Sequence, residues 1–298
     1  MLSPQSQQVR DFVVSQYVKV PPETTIQQMR ETMVTALANI PISEEIQTKE
    51  VSAGGVPADW IRMPGVSTDR VLLYLHGGAY TMGSHRTHRD LVSRLSQAAG
   101  VQVLIINYRL APESPHPAAI EDALAAYHWL LTQGYKPEHI AIGGDSAGGG
   151  LTLATLLSLR DAGEKMPAAA ILLSPWTDLT DSGESQITRA EADPAIKSGD
   201  EERHIVDYVG TAQRHHPLIS PVFADLTGLP PLLIHVGHDE VLLDDSTRIA
   251  QNAQNAGVEV KLKVWEDMWH VFQAYAFMLP EAHQSISELG AFVQQHLA

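Results

Sequence analysis

Ile140-Ala-Ile-Gly-Gly-Asp-Ser-Ala-Gly148 is the stretch that decides the fold of this 298-residue chain. It opens as a short apolar run and ends in small residues that lead into a helical pattern, Leu151 to Leu159. Inside it lies Gly144-x-Ser146-x-Gly148, a serine on a sharp turn from strand to helix. Such a turn lifts the hydroxyl clear of the sheet and strains the backbone. Side chains two positions away on either side would collide, and glycine at both positions removes them. The helix N-terminus points free N–H groups at the serine and favours negative charge developing there. A glycine-rich turn merely capped by serine has the same letters, but the strand before it and the helix after it argue for a nucleophile.

Outward from this turn the chain alternates between two periods. Val71 to Leu75, Val101 to Ile106, Ala168 to Leu173 and Leu232 to Val236 are continuous apolar runs, as in strands buried on both faces. Helical patterns at Ala118 to Leu131 and Ser246 to Ala256 lie between them. The alternation predicts an α/β fold, a mostly parallel central sheet flanked by helices. Val258 to Val264 alternates apolar and polar, which suits a strand near the sheet edge, and a last helix is expected from Ala282. Two stretches fit poorly: a polar helical arm over residues 1–45, with prolines at Pro21, Pro22 and Pro41, and a charged insertion at about 181–216. An insertion above the C-terminal edge of the sheet covers the ligand crevice, so both are read as a helical cap on a catalytic domain spanning 46–298.

The formal net charge of −15 disfavours nucleic acid and anionic lipid as partners. The chain has no cysteine, which excludes disulfides, thiolate metal sites and cysteine nucleophiles. No H-E-x-x-H cluster points to a metal, and Met1 to Tyr17 lacks the apolar core of a signal peptide. No apolar run reaches the length of a membrane span, so the expected location is cytoplasmic.

Upstream of the serine, Val71-Leu-Leu-Tyr-Leu-His76-Gly77-Gly78-Ala79-Tyr80 runs a buried strand into a glycine pair. Glycines let backbone N–H groups come close to an oxyanion, and the N–H of Ala147 would be the partner donor. Gly77, Gly78, Ala79 and Ala147 are therefore the candidate oxyanion donors, with His76 a structural hydrogen-bonder of the loop. Here the chain resembles the hormone-sensitive-lipase-like, or family IV, bacterial esterases of the α/β-hydrolase fold. The marks are His76-Gly-Gly-Ala79, Tyr108-Arg-Leu-Ala-Pro-Glu113 and Gly144-Asp-Ser-Ala-Gly148, with an acid and a histidine near the C-terminus. The likeness covers about Ile46 to the end. Ala79 departs from the family's third glycine, but its N–H is still available. The resemblance makes Arg109 and Glu113 buried polar anchors.

In this fold the order is serine, acid, histidine. The family's acid stands two residues before a leucine and four before an aspartate. Matching these to Leu242 and Asp244 puts it at Glu240, with Asp239 the rival. Asp244 and Asp245 are expected to cap the next helix. His270, in His270-Val-Phe272, matches the family's histidine and is the last before the terminal helix on a loop. His85 and His88 fall on an expected helix, and Trp176 is either an acyl-pocket wall or a core residue. The resemblance implies a serine carboxylesterase for short- to medium-chain acyl esters, acting without a cofactor. It also implies a homodimer paired through the Val258 to Val264 edge. Two alternatives share the scaffold: an amide-cleaving hydrolase of arylformamidase or acyl-aminopeptidase type, and a non-catalytic ligand binder, against which His270 argues.

Overall fold

A computed structural model of the chain describes residues 3–16, 21, 23–37, 40–196, 199 and 201–298. The expectations for the N-terminal arm and the 181–216 insertion at residues 1–2, 17–20, 22, 38–39, 197–198 and 200 fall outside that description.

The N-terminal arm carries helices α1 (Pro4–Gln16) and α2 (Ile26–Leu37), followed by a hairpin of β1 (Gln47–Ala53) and β2 (Val56–Arg62). Then come β3 (Ser67–Leu75), α3 (Arg89–Ala99), β4 (Val101–Ile106), α4 (Ala118–Thr132), β5 (Ile140–Asp145), α5 (Ala147–Asp161) and β6 (Ala169–Leu173). Short helices α6 (Ser185–Thr188) and α7 (Glu202–Val209) fill the insertion. The chain closes with β7 (Leu232–Gly237), α8 (Leu243–Asn255), β8 (Val260–Trp265) and α9 (Pro280–His296).

The eight strands form one sheet in the order β1-β2-β4-β3-β5-β6-β7-β8. The pairs from β4 to β8 are all parallel, whereas β1 with β2 and β2 with β4 are antiparallel. The apolar runs do what continuous burial demands. Residues of alternate parity face two layers, Leu73, Leu75, Ile142 and Leu172 toward α4, α5 and α8, and Leu72, Tyr74, Ile171 and Leu173 toward α1, α3 and α9. α3 buries Leu91, Val92, Leu95 and Ala99, and stops at Gly100, whose left-handed backbone lets its N–H reach the Ser96 carbonyl. α1 joins the second layer through Val9 and Val13, one helical turn apart and both buried. The strand β8 lies at the sheet edge, as its alternation predicts.

The β1–β2 hairpin was not legible as strands, because most of β1 is exposed and carries no apolar period. Its signal was the turn Gly54-Gly55, both at positive φ (65° and 96°), with Ala53 paired to Val56 across it. His85 and His88 are corrected too: they occupy the turn before α3, with His88 at its N-cap.

Candidate active site

Five parallel strands, β3, β5, β6, β7 and β8, end on the same edge of the sheet, and each delivers one part of the site. β5 ends at Asp145, and Ser146 follows with φ 52° and ψ −123°, a strained conformation for a residue with a side chain. The flanking glycines are sterically required. A Cβ at Gly148 would lie 1.9 Å from the Leu75 carbonyl oxygen, and one at Gly144 would lie 2.4 Å from that of Gly148. The serine backbone is tied to the next strand in both directions: its N–H donates to the Leu173 carbonyl at 2.9 Å, and its carbonyl accepts from Trp176 N–H at 2.9 Å.

β7 runs into the acid loop and β8 into the histidine loop. The two are laced by Asp239 N–H to the Met268 carbonyl (2.8 Å) and His238 N–H to the Trp265 carbonyl (2.9 Å). Gly237 permits the contact, since a Cβ there would sit 2.4 Å from the Met268 carbonyl. Glu240, fully buried, places Oε1 3.8 Å from His270 Nδ1. That is an ion-pair separation rather than a hydrogen bond, and among the described residues neither atom has a hydrogen-bond partner. An approach of roughly 1 Å closes it, the kind of tightening that substrate binding brings. Burial pushes the His270 imidazole down, but the Glu240 and Asp193 carboxylates outweigh it and hold its pKa above the ordinary value.

The rival acid turns the other way. Asp239 meets Arg10 from α1 at 3.1 Å and His238 at 3.0 Å. Asp244 and Asp245 do not cap α8. Leu242 is the N-cap and has no side-chain bond, while Asp245 accepts the N–H groups of Thr177 (2.6 Å) and Asp178 (2.8 Å) and Asp244 that of Ser185 (2.9 Å). These carboxylates staple the loop after β6 instead.

On the oxyanion loop, Gly78, Ala79 and Tyr80 all have positive φ. His76 stacks on Tyr108 at 4.3 Å, and burial pushes its pKa down to about 3, so it stays neutral. Gly77 is not the free donor expected: its N–H already donates to Asp145 Oδ1 at 3.1 Å. Among the described residues no hydrogen bond claims the N–H of Gly78, Ala79 or Ala147. Asp145, which the sequence does not single out, is buried at the centre of this loop's polar contacts. Its carboxylate also accepts from the Tyr74 hydroxyl at 2.8 Å and pairs with His88 at 3.2 Å. Burial pushes its pKa up, but His88 and Tyr74 more than offset this and hold it below the ordinary value; His88 is raised in turn.

A family model described as alpha/beta hydrolase fold matches residues 72–274. The chain belongs to the α/β-hydrolase family. This α/β-hydrolase is 48% identical to an acetyl-hydrolase of Streptomyces hygroscopicus, over 82% of the chain and 81% of that protein. It is 38% identical to an esterase of Acinetobacter venetianus, over 85% of the chain and 83% of that protein. Its structure matches that of an esterase from the bacterial hormone-sensitive lipase family with a TM-score of 0.96 and 45% identity, covering 100% of both chains.

The N-terminal arm and the insertion of this hydrolase meet each other and the loop after β3. Arg203 of α7 donates to the Thr24 carbonyl at 2.6 Å, and Tyr208 of α7 stacks on Tyr80 at 3.7 Å. Arg30 of α2 donates to the carbonyls of Thr81 (2.7 Å) and Ala111 (2.9 Å) and to Glu113. Arg109 and Glu113 are therefore not the buried anchors expected. Both side chains are at least half exposed, Arg109 held by Asp122 and Glu121 and Glu113 by Arg30. Trp176 is 2% exposed and packs near Tyr80, a core residue. From the insertion, fully buried Asp193 accepts the N–H of Val241, next to Glu240, at 3.1 Å. Burial pushes its pKa up to about 6. Among the described residues no helix is long and apolar enough to cross a membrane.

Proposed function

We propose that the protein is a serine carboxylesterase for short-chain acyl esters, with Ser146, Glu240 and His270 as its triad. One observation carries the reading. The loops bearing these residues leave three strands at one sheet edge and are all bonded to residues 173–176 after β6, and no described residue uses the backbone N–H groups of Gly78, Ala79 and Ala147. The acetyl-hydrolase and esterase names of the relatives support the substrate class.

Neutral His270 takes the proton of Ser146 as Oγ attacks the ester carbonyl. The carbonyl oxygen becomes negative and is received by the N–H groups of Gly78, Ala79 and Ala147. Collapse of this intermediate breaks the ester C–O bond, and the alcohol leaves with the proton from His270. Water then repeats the sequence on the acyl-enzyme and releases the acid. Glu240 keeps its charge throughout and stabilises the imidazolium. The N-terminal arm and the 181–216 insertion act together as the cap over the acyl site.

Hydrolysis of p-nitrophenyl acetate tests the assignment. Ser146→Ala and His270→Ala are each expected to lower kcat by ~10⁴ to 10⁶, and a loss under about tenfold in either rejects it. A p-nitrophenyl series of increasing acyl length is expected to peak at the short end. A matched anilide is expected to be cleaved far more slowly than the ester, and the reverse order assigns an amide-cleaving enzyme.

A further inference from the structure

We propose that Ser174 is a positioning residue, one hydroxyl that aims the Glu240 carboxylate at His270 and fixes the loop carrying that histidine. The inference rests on the triad reading above. Ser174 follows β6 directly, fully buried, with φ 45°. Its Oγ donates to Glu240 Oε2 at 2.8 Å and accepts the N–H of Val271, the residue after His270, at 3.1 Å. Gly237 N–H donates to the same Oε2 at 3.1 Å. One carboxylate oxygen is thereby saturated, and Oε1 is left turned toward the imidazole.

The neighbours of Ser174 hold the nucleophile. Leu173 accepts the Ser146 N–H, Trp176 donates to the Ser146 carbonyl, and a Cβ at Gly149 would lie 2.7 Å from Pro175 Cβ. Leu173-Ser-Pro-Trp176 is thus the common anchor of all three triad loops, although none of its side chains reacts. A side chain here carries backbone strain: Ser174 sits in the left-handed region, where a residue with a Cβ is disfavoured by about 1 kcal/mol or more. Its own N–H donates to the His235 carbonyl at 2.7 Å, which locks that conformation in place.

Ser174→Ala keeps the Cβ, and with it the same backbone cost, and removes only the hydroxyl. Steady-state kinetics on p-nitrophenyl acetate are expected to give a kcat ~10- to 100-fold lower with KM within about threefold. The acid limb of the kcat/KM profile is expected to move to lower pH, because a misaimed carboxylate no longer supports the imidazolium. Ser174→Cys, of similar shape and with a weak donor, is expected to recover part of the loss. It also supplies the pH profile if the alanine variant does not fold. A kcat within about threefold of the parent, or a loss with the acid limb unmoved, overturns the proposal. Activity surviving in Ser146→Ala and His270→Ala would instead overturn the triad reading, so the two failures are told apart.

Discussion

Asp239 and Glu240 leave β7 on opposite sides, and the partners they meet favour Glu240 as the acid proposed to serve His270. Asp239 is spent on Arg10 and His238, while Glu240 Oε1 faces the imidazole with no other claimant among the described residues. Glu240→Gln is therefore expected to lower kcat by ~10² to 10⁴, since an amide neither fixes the tautomer nor balances the imidazolium. Asp239→Asn is expected to stay within about fivefold of the parent. Both are read by initial rates on p-nitrophenyl acetate. The profile of the parent follows from the sign of the His270 shift. The base must be neutral and its pKa is raised, so kcat/KM falls toward acid pH with a midpoint above histidine's ordinary 6.5. At this scale the sequence points to positions where chemistry restricts the residue type, as at Ser146 and His270, the residues proposed to react. It was mute where a side chain serves the backbone. Nothing in the letters of Gly-Asp-Ser-Ala-Gly reveals that Asp145 takes the Gly77 N–H, because that bond joins loops 68 positions apart.

Among the elements, the β5–α5 turn is the one with no slack. Gly148 stands under the end of β3, and any Cβ there meets the Leu75 carbonyl at 1.9 Å and the His76 carbonyl at 2.7 Å. The obstruction is backbone on both counts, so no rotamer change relieves it. Gly148→Ala is expected to cost about 3 kcal/mol in urea unfolding and at least ~100-fold in kcat, as α5 moves away from β3. Strands buried on both faces were readable because a short, unbroken apolar run between turn residues must be shielded from water on either side. The outer hairpin was not, because β1 is exposed along most of its length and edge strands need no such run. Helix caps misled for a different reason. Asp244 and Asp245 have the right residue type at the right place, but the backbone N–H groups of Thr177, Asp178 and Ser185 lie across from them and take those carboxylates.

Over the whole molecule, the insertion bears a carboxylate that opposes folding at neutral pH. Asp181 has φ 53°, and its Oδ1 is buried with no hydrogen-bond partner among the described residues. Burial first, and nearby Asp178 second, raise its pKa to about 6. A raised carboxyl pKa favours the folded state fully below its unfolded value of 3.8, and that advantage is lost as pH rises through about 6. Asp181→Asn, which tolerates the same backbone, is expected to stabilise the protein by about 1 kcal/mol at about pH 8 and by almost nothing at about pH 3, partial exposure screening the remainder. Calorimetry at the two pH values is expected to show a gain of about 2 °C at the higher one only. The attachment of the arm and insertion behaves differently. Arg10, Arg30 and Arg203 end on the carbonyls of Ala192 and Asp267, of Thr81 and Ala111, and of Thr24, and two of them, Arg10 and Arg30, also meet carboxylates, Asp239 and Glu113. Peptide oxygens carry no proton to lose and no net charge for salt to shield. The proposed roof over the acyl site is therefore expected to keep these carbonyl ties in acid and in brine, where its two carboxylate contacts weaken and the proposed chemistry beneath it switches with the ionisation of a single imidazole.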